Sequence, residues 1–166
     1  MMVNELEVFQ GLPARFGCIG ETNPNRAFEK LTSRLVQESL ALDGYEVIPQ
    51  KTKKTWFGDN GDVRGIRQDI LVKSGNNVIA VLDSKCKEQL SSSDLAEISL
   101  YIHENRLKSG IAIMPTCPGK PEIKWTSSDG KISIYEKRLD IAQIVNNLRI
   151  GNTKSITETI CGWVNL

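Results

Sequence analysis

The sequence predicts an α/β domain with a central mixed β-sheet flanked by helices. Three observations predict it: helical spacing of apolar residues near the start, short apolar runs bounded by turn residues in the middle, and helical stretches that alternate with such runs to the end. At 166 residues with 40% hydrophobic side chains, the chain has the size of a single domain, 1–166, with one core.

In "NPNRAFEKLTSRLVQESLALDGY", Asn23 is placed as a cap, Pro24 takes a first-turn position, and Phe28, Leu31, Leu35, Val36 and Leu40 share a helical face until Gly44 closes it. "YEVIPQKT" then reads as a strand. "KTKKTWFGDNGDVRG", rich in Gly, Asn and Asp, reads as a loop that carries a basic cluster. Two apolar runs follow, Ile66 to Val72 and Val78 to Leu82, joined by the turn "KSGNN". From Ser92, "SDLAEISLYIHENRLKSG" predicts a second helix with Leu95, Ile98 and Ile102 on one face, and Asp94 and Glu97 at capping-box spacing. "GIAIMP" is a continuous apolar strand stopped by Pro115, as expected for burial on both faces. "EIKWTSSDGKISIYEKR" predicts a pair of strands around Asp129 and Gly130. A helix follows from about Leu139 to Arg149, with Ile141, Ile144, Val145 and Leu148 as its apolar stripe.

Lys and Arg total 21 against 20 for Asp and Glu, so the net charge of +1 gives no global sign of a polyanionic partner, and a nucleic-acid surface has to be local. The opening "MMVNELEVFQ" has acidic residues and no sustained apolar run, which excludes a signal peptide or membrane anchor there. Cys18, Cys86, Cys117 and Cys161 are widely spaced with only His103 as a companion, a pattern that predicts reduced cytoplasmic thiols rather than zinc. His103 itself reads as a surface or helix-terminal residue.

Both apolar runs carry an aspartate: Asp69 opens the first and Asp83 ends the second. Pairing across the turn brings the start of one strand beside the end of the other, so the two carboxylates meet. Lys85, two positions after Asp83, points to the same face. Two hard oxygen ligands, with water and a substrate phosphate completing the shell, are what magnesium commonly uses in phosphate chemistry, and a neighbouring lysine serves the attacking water. The same residues also fit a turn aspartate and a surface ion pair. Lys51, Lys53, Lys54, Arg64 and Arg67 lie just before Asp69, with Trp56 and Phe57 between them. Phosphate contacts from such a segment would hold a backbone over the metal, and an aromatic there would stack or wedge against bases unless it caps the core.

The ordered set "RAFEKLTSRLVQESL", "RQDILV", "VIAVLDSK", "DLAEISLYI" and "GIAIMPT" resembles the PD-(D/E)xK nuclease superfamily, and within it most of all the nuclease domain of McrBC-type modified-cytosine restriction systems. The resemblance covers about Arg26 to Asp140 and leaves 1–25 and 141–166 peripheral. It implies a restriction-endonuclease-like core and a metal-dependent deoxyribonuclease that hydrolyses phosphodiester bonds. Asp69 and Asp83 hold Mg²⁺, with Mn²⁺ as a substitute, and Lys85 serves the water. Glu29 on the first helix adds a carboxylate, with Glu38 as its rival and a solvated glutamate paired with Lys30 or Ser33 as the plain reading. DNA is the implied partner, contacted through Lys53, Lys54, Arg64 and Arg67, and a homodimer is an open arrangement.

Two departures stand out. Relatives often carry glutamine and then tyrosine four residues later on the second helix, where this chain has Glu97 and Tyr101. Glu97 fits an approach to the metal or the lysine, but more simply a capping carboxylate. The chain is also too short for the additional motor-engaging domain, which leads to the expectation of a stand-alone phage, viral or prokaryotic nuclease. The alternative from another class is a catalytically silent module that keeps the fold and binds DNA or protein.

Overall fold

The computed structural model describes Cys18 and residues 20–165, apart from the side chain of Trp56. The opening segment and the stacking or wedging role of Trp56 therefore lie outside the described residues. Helix α1, Pro24–Ala41, begins where Asn23 leaves extended backbone: its side chain accepts from the amides of Asn25 and Arg26, and Pro24 fills a position whose amide would have no helical partner. Ala27, Phe28, Leu31, Leu35, Val36 and Leu40 form its buried face.

Strands β1, Glu46–Phe57, and β2, Val63–Ser74, form a long antiparallel hairpin. The expected loop over 51–65 is corrected here: Thr52 lies opposite Arg67, Lys53 opposite Ile66 and Lys54 opposite Gly65, and only the tip around Gly58 to Asp62 turns. A two-stranded ribbon needs backbone hydrogen bonds and extended residues such as Thr52, Thr55 and Val63, not an apolar alternation, because most of its side chains face solvent. Strand β3, Asn77–Ser84, returns through a turn in which Gly75 takes φ +57, a left-handed conformation open to glycine.

Helix α2, Ser92–Glu104, crosses to β4, Ser109–Pro115, which runs parallel to β3. Gly110 lets the helix lie close, since a Cβ there would stand 3.0 Å from Ile102. Strands β5, Lys124–Thr126, and β6, Ser133–Leu139, complete a six-stranded mixed sheet in the order β1-β2-β3-β4-β6-β5, with β4 and β6 parallel and β5 antiparallel at the edge. The chain ends in α3, Ile141–Arg149, and α4, Lys154–Val164, the second of which the sequence reading did not include.

The sheet separates two apolar layers. On one face α1, α3 and α4 pack over Ile70, Val72, Leu82 and Ile113; Ile141, Ile144, Ile156, Ile160 and Trp163 of the stretch expected to be peripheral are buried members of this layer. On the other face α2 covers Leu71, Val81, Ala112 and Met114. No helix among the described residues is long and apolar enough to cross a membrane.

Candidate functional site

The sheet changes character at β3, antiparallel to β2 on one side and parallel to β4 on the other, and the strand ends there carry the two aspartates. Ile70 pairs with Leu82, so one step further places Asp69 opposite Asp83. The backbone amide of Ser84 donates to Asp69 Oδ2 at 2.9 Å, fixing that carboxylate against the end of β3. Thr32 on α1 and Ser84 share a hydroxyl hydrogen bond of 2.5 Å, which ties the first helix to the same strand end.

Asp83 is 2% exposed, and its Oδ2 lies 2.9 Å from Lys85 Nζ without a well-directed hydrogen bond. Burial, reinforced by the Asp69 charge and opposed by Lys85, pushes the Asp83 carboxyl up to about 7. Asp69 is also raised, first by burial and then by Glu29, against the lowering effect of the Ser84 amide. Two carboxylates in this position repel each other as they ionise, and one lysine does not neutralise both.

Lys85 is shared. Its ammonium is 2.7 Å from Glu97 Oε2 as well as 2.9 Å from Asp83, with Asp94 at 3.9 Å. Burial acts to lower its pKa, but the bonds to Glu97 and Asp83 outweigh it and hold the lysine above its usual range. Burial opposes ionisation of Glu97, and the bonds from Lys85 and Tyr101 overcome it and lower its pKa. The Tyr101 hydroxyl lies 2.6 Å from Glu97 Oε1 and 2.7 Å from the Arg67 carbonyl, two acceptors for its single proton.

The expected capping role of Glu97 is corrected by this geometry. Ser91 is the cap of α2 and Asp94 completes the capping box, taking the Ser91 amide at 2.7 Å. Asp94 is pulled down to about 2: Lys87 and Ser91 bond it strongly enough to overcome its burial. Glu97 is one turn too far along for the cap and faces the lysine instead.

Glu29 reaches the site's border. Its Oε1 accepts from Arg67 at 3.0 Å and from Gln50 at 2.7 Å, and its charge is felt by Asp69. Gln50 is at φ +52, and the β1–β2 ladder skips it between Pro49 and Lys51. Glu38 pairs with Arg34, nine residues beyond Glu29 and so roughly 13 Å along the helix. Of the four expected DNA contacts, Lys54 and Arg64 lie exposed on the hairpin, Lys53 is bonded to Glu104, and Arg67 is bonded to Glu29. Gln50 and the Thr32–Ser84 link carried no motif that sequence reading could have found.

Among the described residues no group of three or more His, Cys, Asp or Glu side chains is placed to enclose a metal ion. The carboxylates that could hold one are the pair Asp69 and Asp83, with Asp83 Oδ2 buried and without a hydrogen bond. A pair suits Mg²⁺, which keeps several waters and takes one or two carboxylates where phosphate supplies the rest. No family model matches the sequence, and no curated protein matches it.

Proposed function

We propose that the protein is a metal-dependent deoxyribonuclease with a restriction-endonuclease-like core, cutting at the junction of β2 and β3. The observation that carries this reading is the pair of mutually repelling carboxylates, half-buried Asp69 and buried Asp83, with the Lys85 ammonium 2.9 Å from the second. The order helix, hairpin, crossing helix and parallel strand supports it, because it gathers Asp69, Asp83, Lys85 and the bordering Glu29 from separate elements.

Asp69 and Asp83 would hold Mg²⁺ or Mn²⁺, which supplies Lewis-acid neutralisation of phosphate charge and a lower pKa for water. Lys85 enters the reaction charged, so its part is to donate hydrogen bonds: it orients the attacking water and stabilises negative charge on the phosphoryl oxygens. Glu97 holds the lysine from behind, and Tyr101 holds Glu97. Asp83 fixes the lysine's other side. Arg67, kept in place by Glu29, stands at the rim where a phosphate backbone would pass.

The test is cleavage of supercoiled, linear and single-stranded DNA with and without Mg²⁺, in the wild type and in Lys85→Ala. The variant is expected to fold, bind metal and bind DNA while cutting about 10²-fold to 10³-fold more slowly, the usual cost of losing one preorganised donor. Equal rates would remove Lys85 from the site. Wild-type protein that cuts no form of DNA would favour the silent binding module instead.

A further inference from the structure

At the far end of α2 lies a cleft of about 820 Å³ lined by Lys53, His103, Arg106, Lys108 and Lys131, with Glu104 as the one acid in its wall among the described residues. We propose that this cleft seats the phosphodiester backbone of the DNA strand that leaves the Asp69–Asp83 site; the proposal rests on the nuclease reading and names where its substrate lies.

Position comes first. Glu97, Tyr101 and Glu104 are spaced i, i+4 and i+7 on one face of α2. Glu97 bonds Lys85, the Tyr101 hydroxyl meets the Arg67 carbonyl of β2, and Glu104 receives Lys53 of β1 at 2.9 Å on its carboxylate and 3.0 Å on its carbonyl. One seam between helix and hairpin therefore runs from the lysine of the site to the cleft. Seven helical residues rise roughly 10 Å. Measured along the axis of duplex DNA, that is the rise of about three base pairs at about 3.4 Å each.

Charge comes second. Lys53 answers Glu104, and Lys131 lies 3.4 Å from Asp129. Arg106 and Lys108 are exposed and have no ion pair among the described residues, in a chain whose net charge is only +1. The carbonyl end of a helix would ordinarily repel an anion. Here the Lys53 ammonium donates to the Glu104 carbonyl, which satisfies one of the carbonyls that would face the anion. Arg106 holds φ +56, a conformation that glycine or asparagine adopts more readily, so the helix end carries a guanidinium where a smaller residue would fit the backbone better. Contacts to phosphates carry no sequence information, so a strand seated by its backbone here is bound independently of sequence.

The experiment is fluorescence anisotropy with a labelled duplex in EDTA, titrated across salt concentrations, on the wild type, on Arg106→Ala with Lys108→Ala, and on Lys154→Ala as a control remote from the cleft. The double variant is expected to bind more weakly and to lose about two units of the salt slope, roughly 0.9 per phosphate contact, while the control keeps the wild-type slope. Lys108→Glu alone, at an exposed side chain, should weaken binding too, and repeats the test should the double variant fold poorly. An unchanged slope in variants that fold overturns the cleft and leaves the nuclease reading standing. A reduced slope in a protein that cuts no DNA supports the cleft and overturns the nuclease reading. Wild-type protein that binds no DNA overturns both.

Discussion

Asp83 and Glu136 are buried to nearly the same degree, 2% and 1% exposed, yet they sit in opposite conditions. Glu136 Oε1 accepts from the Trp125 indole at 2.8 Å, and Oε2 faces Arg138 at 3.3 Å. Arg138 spends its other donors on the carbonyls of Pro115, Pro121 and Glu88. Charge and hydrogen bonds close within that group, which pins the connection before β5 and the segment before α2 to β6. Asp83 has a second carboxylate as its neighbour, an oxygen without a hydrogen bond, and a lysine shared with Glu97. The difference teaches that burial alone does not mark a functional acid. What marks it is a charge demand that the surrounding chain leaves unmet.

Removing Glu136 should give the largest effect. Glu136→Ala leaves the Arg138 guanidinium buried without its counter-charge, and urea denaturation should show a loss of about 3–5 kcal/mol, with cleavage per folded molecule retained. A loss below about 1 kcal/mol would make Glu136 no more structural than a surface pair and would break the contrast.

Asp83 should behave in the opposite sense. Its folded pKa of about 7 lies above the ordinary 3.8, so folding favours the protonated form. That contribution is fully present below about pH 4 and is lost as the pH rises through about 7. In EDTA, wild type should lose stability relative to Asp83→Asn between about pH 5 and about pH 8, on the order of 2–4 kcal/mol, and Mg²⁺ should restore wild type alone at the upper end. Parallel thermal melts of the two proteins check this; identical pH profiles would mean that the carboxylate's demand is already met without metal.

The smallest effect belongs to the exposed hairpin. Lys54→Gln and Arg64→Gln should leave stability unchanged and each lower the salt slope of DNA binding by about one unit. Unchanged slopes would confine the DNA contacts to the seam along α2.

The meeting of Asp69, Asp83 and Lys85 was more legible in the sequence than the surroundings of the candidate site. Asp69, Asp83 and Lys85 follow from two local rules, alternation along a strand and pairing across a short turn, and both operate within a few residues. The hairpin was not legible: Lys51, Lys53, Lys54 and Thr55 lie in a two-stranded ribbon whose side chains mostly face solvent, so no apolar pattern separates it from a loop. The sequence reading put the cap of α2 at Asp94, whereas Ser91 caps it, and that shift of three residues moves Glu97 from the helix start to the lysine. The meeting of Glu29 with Arg67 depends on how α1 packs across the sheet, which neither segment encodes by itself.

The spacing of these contacts along the chain has a consequence for how the protein assembles. The Ser84 amide reaches Asp69 across 15 positions, Lys85 reaches Glu97 across 12 and Tyr101 reaches Glu97 across 4, whereas Arg67 meets Glu29 across 38 and Arg138 meets the Glu88 carbonyl across 50. Short closures form first, because the entropy lost in closing a loop grows with its length and hairpins form in about 1–10 μs. The hairpin that sets the two aspartates face to face is therefore the part of the site expected to close earliest, while water still screens their repulsion. Burial by α2 and the distant strands is what raises both carboxyls, so on that order the cost of setting the two acids side by side falls on the last steps of folding.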